Sequence, residues 1–149
     1  MAVSMTQVLA EIDKDEPNYE AAARLGPEAM PHLQQLVEAD DPMRASKAAY
    51  LAGLIGGVQA VPVLSQAATH RDPIVRVAAA HAFSARAEAP PALLLERLLD
   101  DGDAGVRKVA LRSARAAKSS QLRSKISAMA NDDPEEHIRE AAKEVARGL

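Results

Sequence analysis

A chain of 149 residues, 48% hydrophobic and 26% charged, is long enough to close one domain around its own core. With no Cys, no Trp, one Phe and two Tyr, it has no thiolate for disulfides, metal sites, iron–sulfur clusters or nucleophilic catalysis, and too few rings for a base-stacking platform, an aromatic cage or a membrane-interface belt. A formal net charge of −3 argues against a protein that meets nucleic acid over its whole surface.

Residues 1–16 show no basic stretch leading into an apolar one, and no apolar run comes near the roughly 20 residues of a bilayer span. A cytoplasmic protein without membrane contact is expected. The first element reads as a helix over about residues 3–13. Beyond it the sequence falls into rows of 31 whose apolar columns agree: Leu33, Leu64, Leu95 and Ile126; Leu36, Ala67, Leu98 and Met129; Val37, Ala68, Leu99 and Ala130. Within a row these positions lie three and four apart, so they share one helix face, and the positions between them are mostly polar. Each row therefore contains an amphipathic helix, designated B.

Upstream of each B helix lies an alanine-dense stretch, as in Lys47 to Leu51, Val77 to Phe83 and Val109 to Leu111. Alanine favours helix and lets two axes approach closely, so these stretches read as A helices buried between neighbours. The start signals repeat as well. Asp41-Pro42, Asp72-Pro73 and Asp133-Pro134 each offer an Asp at the N-cap and a Pro at the first helical position, and Asp103 keeps the cap without the Pro. Gly26 and Gly56-Gly57 stand where an A helix stops, and Ser119-Ser120 is expected to serve that turn in the fourth row by capping the next helix. No segment alternates with period two, so strands are not expected.

The prediction is an all-α chain of about ten helices: the first near 3–13, helix pairs over about 15–40, 41–71, 72–102 and 103–132, and a last helix at about 134–147. Pairs at a fixed short period cannot bury their apolar faces alone; stacked antiparallel, they form a right-handed α-α superhelical solenoid. The last helix, with Glu135, Glu136, Arg139, Glu140, Lys143, Glu144 and Arg147, is polar enough to cap a complete single domain spanning 1–149.

Residues Pro73-Ile74-Val75-Arg76-Val77-Ala78-Ala79-Ala80-His81-Ala82-Phe83 and Asp103-Ala104-Gly105-Val106-Arg107-Lys108-Val109-Ala110-Leu111 resemble the D-P-x-V-R-x-x-A-A-x-A-L signature of short HEAT-like repeats, the type found in phycobilisome lyases. Ile138 to Ala142 and Asp41 to Arg44 echo it, and the resemblance covers roughly residues 15–149. It implies an armadillo-like helical fold, with inter-repeat hydrogen bonds joining Arg76 and Arg107 to Asp72 and Asp103. It is nearly silent on function, because one fold hosts many roles. Arg44, Arg76, Arg107 and Arg139 step by 32, 31 and 32, so the outer two stand one residue out of register.

Candidate chemistry is sparse. His32, His70, His81 and His137 show no i, i+4 pairing, and the His-Glu pairs that mark the HEAT-like deoxyhypusine hydroxylases are absent. These histidines read as surface residues, and neither a metal nor a cofactor is expected. Paired carboxylates at Asp40-Asp41, Asp100-Asp101 and Asp132-Asp133 fall between one repeat and the next, where capping and turns explain them. No nucleophile elbow or phosphate-binding loop occurs. The charge distribution says more. Residues 1–41 carry nine acids against two bases, whereas 104–130 carry seven bases and no acid. Of these, Lys108, Arg112, Arg115 and Lys118 form a basic face.

The expected role is a non-enzymatic module that binds another protein on a concave B-helix surface, through Gln34, Gln35, Ser65, Gln66, Thr69, Glu96, Arg97 and Ser127. Asp41, Asp72, Arg76, Asp103 and Arg107 are expected to be structural. Two alternatives stay open: a lyase or chaperone-like factor for a tetrapyrrole-bearing protein, suggested by the repeat type alone, and an anion or nucleic-acid binder using the basic face. The opposite charge of the two ends also allows a monomer that associates weakly head to tail.

Overall fold

A computed structural model describes residues 2–85 and 91–149, and all regular structure among them is helical. Helix α1 (Met5–Ile12) is followed by α2 (Tyr19–Ala23), α3 (Met30–Glu38), α4 (Pro42–Ile55), α5 (Ala60–Ala68), α6 (Pro73–Ala85), α7 (Ala92–Leu99), α8 (Ala104–Ala116), α9 (Arg123–Asp132) and α10 (Glu136–Arg147). Short 3-10 turns at Pro27–Ala29 and Ser120–Leu122 lead into α3 and α9. The even-numbered helices are the A helices and α3, α5, α7 and α9 the B helices, in the predicted order. Helix α1 starts a little later than expected because Ser4 and Gln7 form a capping box, each side chain bonded to the other's backbone N–H.

The repeat columns become the core. Leu33, Leu64, Leu95 and Ile126 are fully buried, as are Ala67 and Leu98, while Ala130 is half-buried. Helix α4 packs against α2, α3, α5 and α6; α6 packs on α8, and α8 on α10. The A helices thus form a continuous layer of small side chains, including Ala45, Ala48, Ala49, Ala79, Ala80 and Ala82, all without exposed surface. At Gly53 a Cβ would stand 2.5 Å from the Cβ of Ala82 and 2.8 Å from its carbonyl oxygen. Only glycine allows α4 and α6 that contact. Ser113, buried on α8, donates its hydroxyl to the carbonyl of Ala80 across the next A–A contact, so its polar group is satisfied.

The caps hold at three of the four expected places. Asp41 accepts from the Arg44 N–H at 3.1 Å, Asp72 from the Ile74 N–H at 2.9 Å and Asp103 from the Val106 N–H at 3.1 Å. Asp133 departs from expectation: α10 begins only at Glu136, with Glu135 at its N-cap. The Asp133 carboxylate instead faces inward, accepting from the Glu135 N–H at 3.0 Å and from Arg107. Gly26 and Gly56 end α2 and α4 with φ of 74° and 71°. In the fourth repeat Ser119 makes no side-chain cap bond, and the left-handed residue is Lys118 at φ 51°. That backbone arrangement, not a serine hydroxyl, turns the chain.

The repeat arginines bond across the junctions, but not to Asp72 and Asp103. Arg76 Nε and Nη2 donate to Asp101 at 2.8 and 3.2 Å, and its Nη1 donates to the carbonyl of His70 at 2.8 Å. One repeat on, Arg107 Nε and Nη2 donate to Asp133 at 2.9 and 3.1 Å, and its Nη1 to the Asp101 carbonyl at 2.9 Å. Arg139 completes the run by donating to the Asp133 carbonyl at 2.7 Å. Asp72 and Asp103 are already committed to caps, so the arginines reach the aspartate that closes the next turn. His70 holds that place one repeat earlier: its Nδ1 accepts from the Asp72 N–H at 3.0 Å, as Asp101 accepts from the Asp103 N–H at 2.9 Å. An imidazole cannot receive a guanidinium as a carboxylate does. Arg44 turns instead to the N-terminal segment, donating to both carboxylate oxygens of Asp13 at 3.0 and 2.9 Å.

Burial pushes the Asp133 carboxyl upward, but hydrogen bonds from Arg107 and the Glu135 N–H, with the charges of Arg107 and Arg139, outweigh it and hold the group below the ordinary carboxylate range. Two outcomes follow. Gly53→Ala forces α4 and α6 apart and lowers stability by about 1–3 kcal/mol in urea unfolding. Asp133→Asn leaves the buried Arg107 uncompensated and lowers stability by about 3 kcal/mol at neutral pH. Because the native pKa is depressed, the carboxylate's contribution is complete above the unfolded value of about 4 and is lost as pH falls through the native value. The gap between the parent protein and Asp133→Asn, followed by unfolding across acid pH, therefore narrows below about pH 4.

Candidate functional site

The B helices expose one face, and the eight side chains expected to receive a partner divide on it. Ser65, Thr69, Glu96 and Arg97 converge on an open groove of about 740 Å³ between α5 and α7, which Leu93, Leu94, Asp100 and Asp101 also line. Thr69 and Gln66 belong to a second hollow of about 520 Å³ next to it, shared with Glu38, Asp40, His70 and Arg71. Gln34 lines a separate hollow of about 460 Å³ with Gln59. Gln35 and Ser127 are exposed but line none of these.

Within the main groove Glu96 and Arg97 are exposed and make no ion pair among the described residues, whereas Asp101 is engaged by Arg76. Thr69 spends its hydroxyl on its own helix, donating to the carbonyls of Ser65 and Gln66 at 3.3 and 3.2 Å. Leu93 is 78% exposed at the groove edge. It was absent from the predicted contacts although a signal existed: in the register of 31 its column reads Pro31, Pro62, Leu93 and Ser124, so the leucine lies off the core stripe.

The doubled aspartates turn out to do more than cap and turn. Asp40 pairs with Arg71, Asp100 with Lys125, Asp101 with Arg76 and Asp133 with Arg107. One aspartate of each doublet at least is thus held by a basic side chain from a neighbouring helix or turn. Among the described residues no three His, Asp or Glu side chains come together as a metal ion would need. No helix among them is long and apolar enough to cross a membrane.

The histidines are not all surface residues. His32 is half-buried and its Nε2–H donates to the Val3 carbonyl at 2.6 Å, tying the N-terminal segment to α3, and His70 is held in the junction described above. His81 and His137 are exposed. On the A layer, Lys108, Arg112, Arg115 and Lys118 are exposed and make no ion pair among the described residues.

His81 also belongs to a ring cluster on that layer. Tyr19 and Tyr50 meet edge to face with centroids 4.9 Å apart and planes at 83°, and Tyr50 meets His81 at 5.0 Å. Burial, with a smaller contribution from the neighbouring Tyr50, raises the Tyr19 phenol above its ordinary value. With two tyrosines and no tryptophan, alkaline titration followed by phenolate absorbance reads this directly. A component titrating above about pH 10 is expected, and Tyr19→Phe removes it.

A family model described as HEAT repeats matches residues 30–114, which take in α3 to α7 and most of α8. No curated protein matches the chain.

Proposed function

Since this chain belongs to the HEAT-repeat family, we propose that it is a non-enzymatic binding module that holds a segment of another protein along its B-helix face. HEAT repeats generally mediate protein–protein interaction. The observation that carries the finer reading is the groove between α5 and α7. There Ser65, Thr69, Glu96 and Arg97 stand beside an almost fully exposed Leu93. An apolar side chain left in water next to an uncommitted acid and base suits a mixed contact: a buried apolar centre with polar groups at its rim. The adjoining hollow with Gln66 and Thr69 extends the groove toward α3, as an extended segment needs. Stacked equivalent helices present such surfaces at regular intervals.

Capture from a host lysate, with proteins identified by mass spectrometry and the eluate scanned for pigment and nucleic acid, tests the reading. A protein retained by the parent chain is lost, or weakened about tenfold or more, when Leu93→Glu and Arg97→Glu are combined, while the melting temperature stays within a few degrees. Equal retention by that variant removes the groove from the interface. Co-eluting pigment, with no protein dependent on the groove, points instead to a tetrapyrrole-handling factor.

A further inference from the structure

The A layer carries a second surface that the packing of its helices leaves open. Three ring-bearing residues in one column of the register of 31, Tyr19, Tyr50 and His81, are followed at the next step by Arg112. The rings stand in contact on successive A helices and line, with Ile74, Val77 and Lys47, a hollow of about 470 Å³. The protein has no Trp, and its single Phe, Phe83, lies in the core. The two tyrosines are only half-buried, and their hydroxyls make no hydrogen bond among the described residues. Ile74 is 51% exposed in the same hollow. An apolar, ring-lined recess is thus left open to solvent.

Its surroundings differ sharply on the two sides. Toward the N-terminus stand the exposed Asp15, Glu16 and Glu20; in the other direction, one A helix beyond α6, stand Lys108, Arg112, Arg115 and Lys118. Successive helix axes lie about 8–10 Å apart, so a few extended residues reach from the recess to Arg112. We propose that this face docks an acidic segment of another protein that carries one bulky apolar side chain. The apolar side chain enters the recess between Tyr50 and Ile74, and the flanking carboxylates lie on Arg112 and Arg115. The acidic N-terminal side repels those carboxylates and so orients the segment toward α8. Nucleic acid fits less well. Two rings packed edge to face do not form the parallel row on which successive bases stack, and Lys47, the lysine at the recess, already donates to the Lys14 carbonyl at 3.0 Å.

The test is a selection of short random peptides displayed on phage against the immobilised full chain, followed by fluorescence anisotropy with a labelled synthetic peptide from the enriched pool. Enriched sequences are expected to place Asp or Glu beside a single Leu, Phe or Trp. Binding of the synthetic peptide weakens about tenfold or more with Ile74→Ser, and likewise with Arg112→Glu combined with Arg115→Glu; it also weakens as salt rises. All substituted residues are exposed, and circular dichroism checks that the variants fold. Leu93→Glu in the B-helix groove leaves the affinity unchanged, so the two surfaces stand or fall separately. No enrichment of acidic peptides, or binding indifferent to either variant, overturns the proposal. So does a duplex oligonucleotide that displaces the peptide and depends on Arg112 and Arg115 but not on Ile74.

Discussion

Each junction between repeats has to bring a B helix to an end, start an A helix and leave few buried polar groups unpaired. The arginine at the start of the A helix meets that constraint. Arg107 spans three partners at once: both oxygens of Asp133 on one side and the carbonyl of Asp101 on the other. A planar guanidinium with its donors fixed in a fork is the side chain suited to such geometry. The aspartate it meets is bonded in turn to a backbone N–H of the following turn, so each rung holds a loop and a helix start together. Arg76–Asp101, Arg107–Asp133 and the Arg139 bond to the Asp133 carbonyl form one run through the second half of the protein. His70 interrupts the pattern at the previous junction, and the freed Arg44 anchors the N-terminal segment through Asp13.

With the junctions set, the two layers take different duties. The A layer is close-packed by alanine and by Gly53, and small residues there leave little volume for side chains between the axes. Its outward face has room for larger groups, and there the ring cluster and the α8 cations lie. The B layer carries leucines inward and polar side chains outward, where the two hollows that share Thr69 adjoin. Two surfaces of different chemistry on opposite layers follow from one repeated unit.

Much of this was legible in the sequence because a repeat samples the same environment several times. A column of Leu33, Leu64, Leu95 and Ile126 has one burial solution, and three Asp caps at matched places have one helix start. The misreadings fall where one residue served two needs. Asp133-Pro134 matches the pattern of a cap, but the uncompensated Arg107 draws that carboxylate inward and the helix starts later. The histidines have no ligand spacing and read as surface residues, yet His32 bonds a carbonyl 29 residues away and His70 takes the junction place that Asp101 holds one repeat on. On the B face, Leu93 shares its column with two prolines and a serine, off the apolar stripe, while Gln35 and Ser127, expected to be contacts, line none of the three hollows described.

By itself the sequence determined the helical content, the period, the pairing of A with B and the inward columns, because all of these rest on periodicity and local capping, which act over a few residues. Tertiary structure alone decided which aspartate each arginine meets, how closely α4 passes α6 at Gly53, which exposed side chains share a groove and that Tyr19 and Tyr50 touch. Those are contacts between residues about one repeat apart in sequence, and their geometry depends on how one repeat is set against the next.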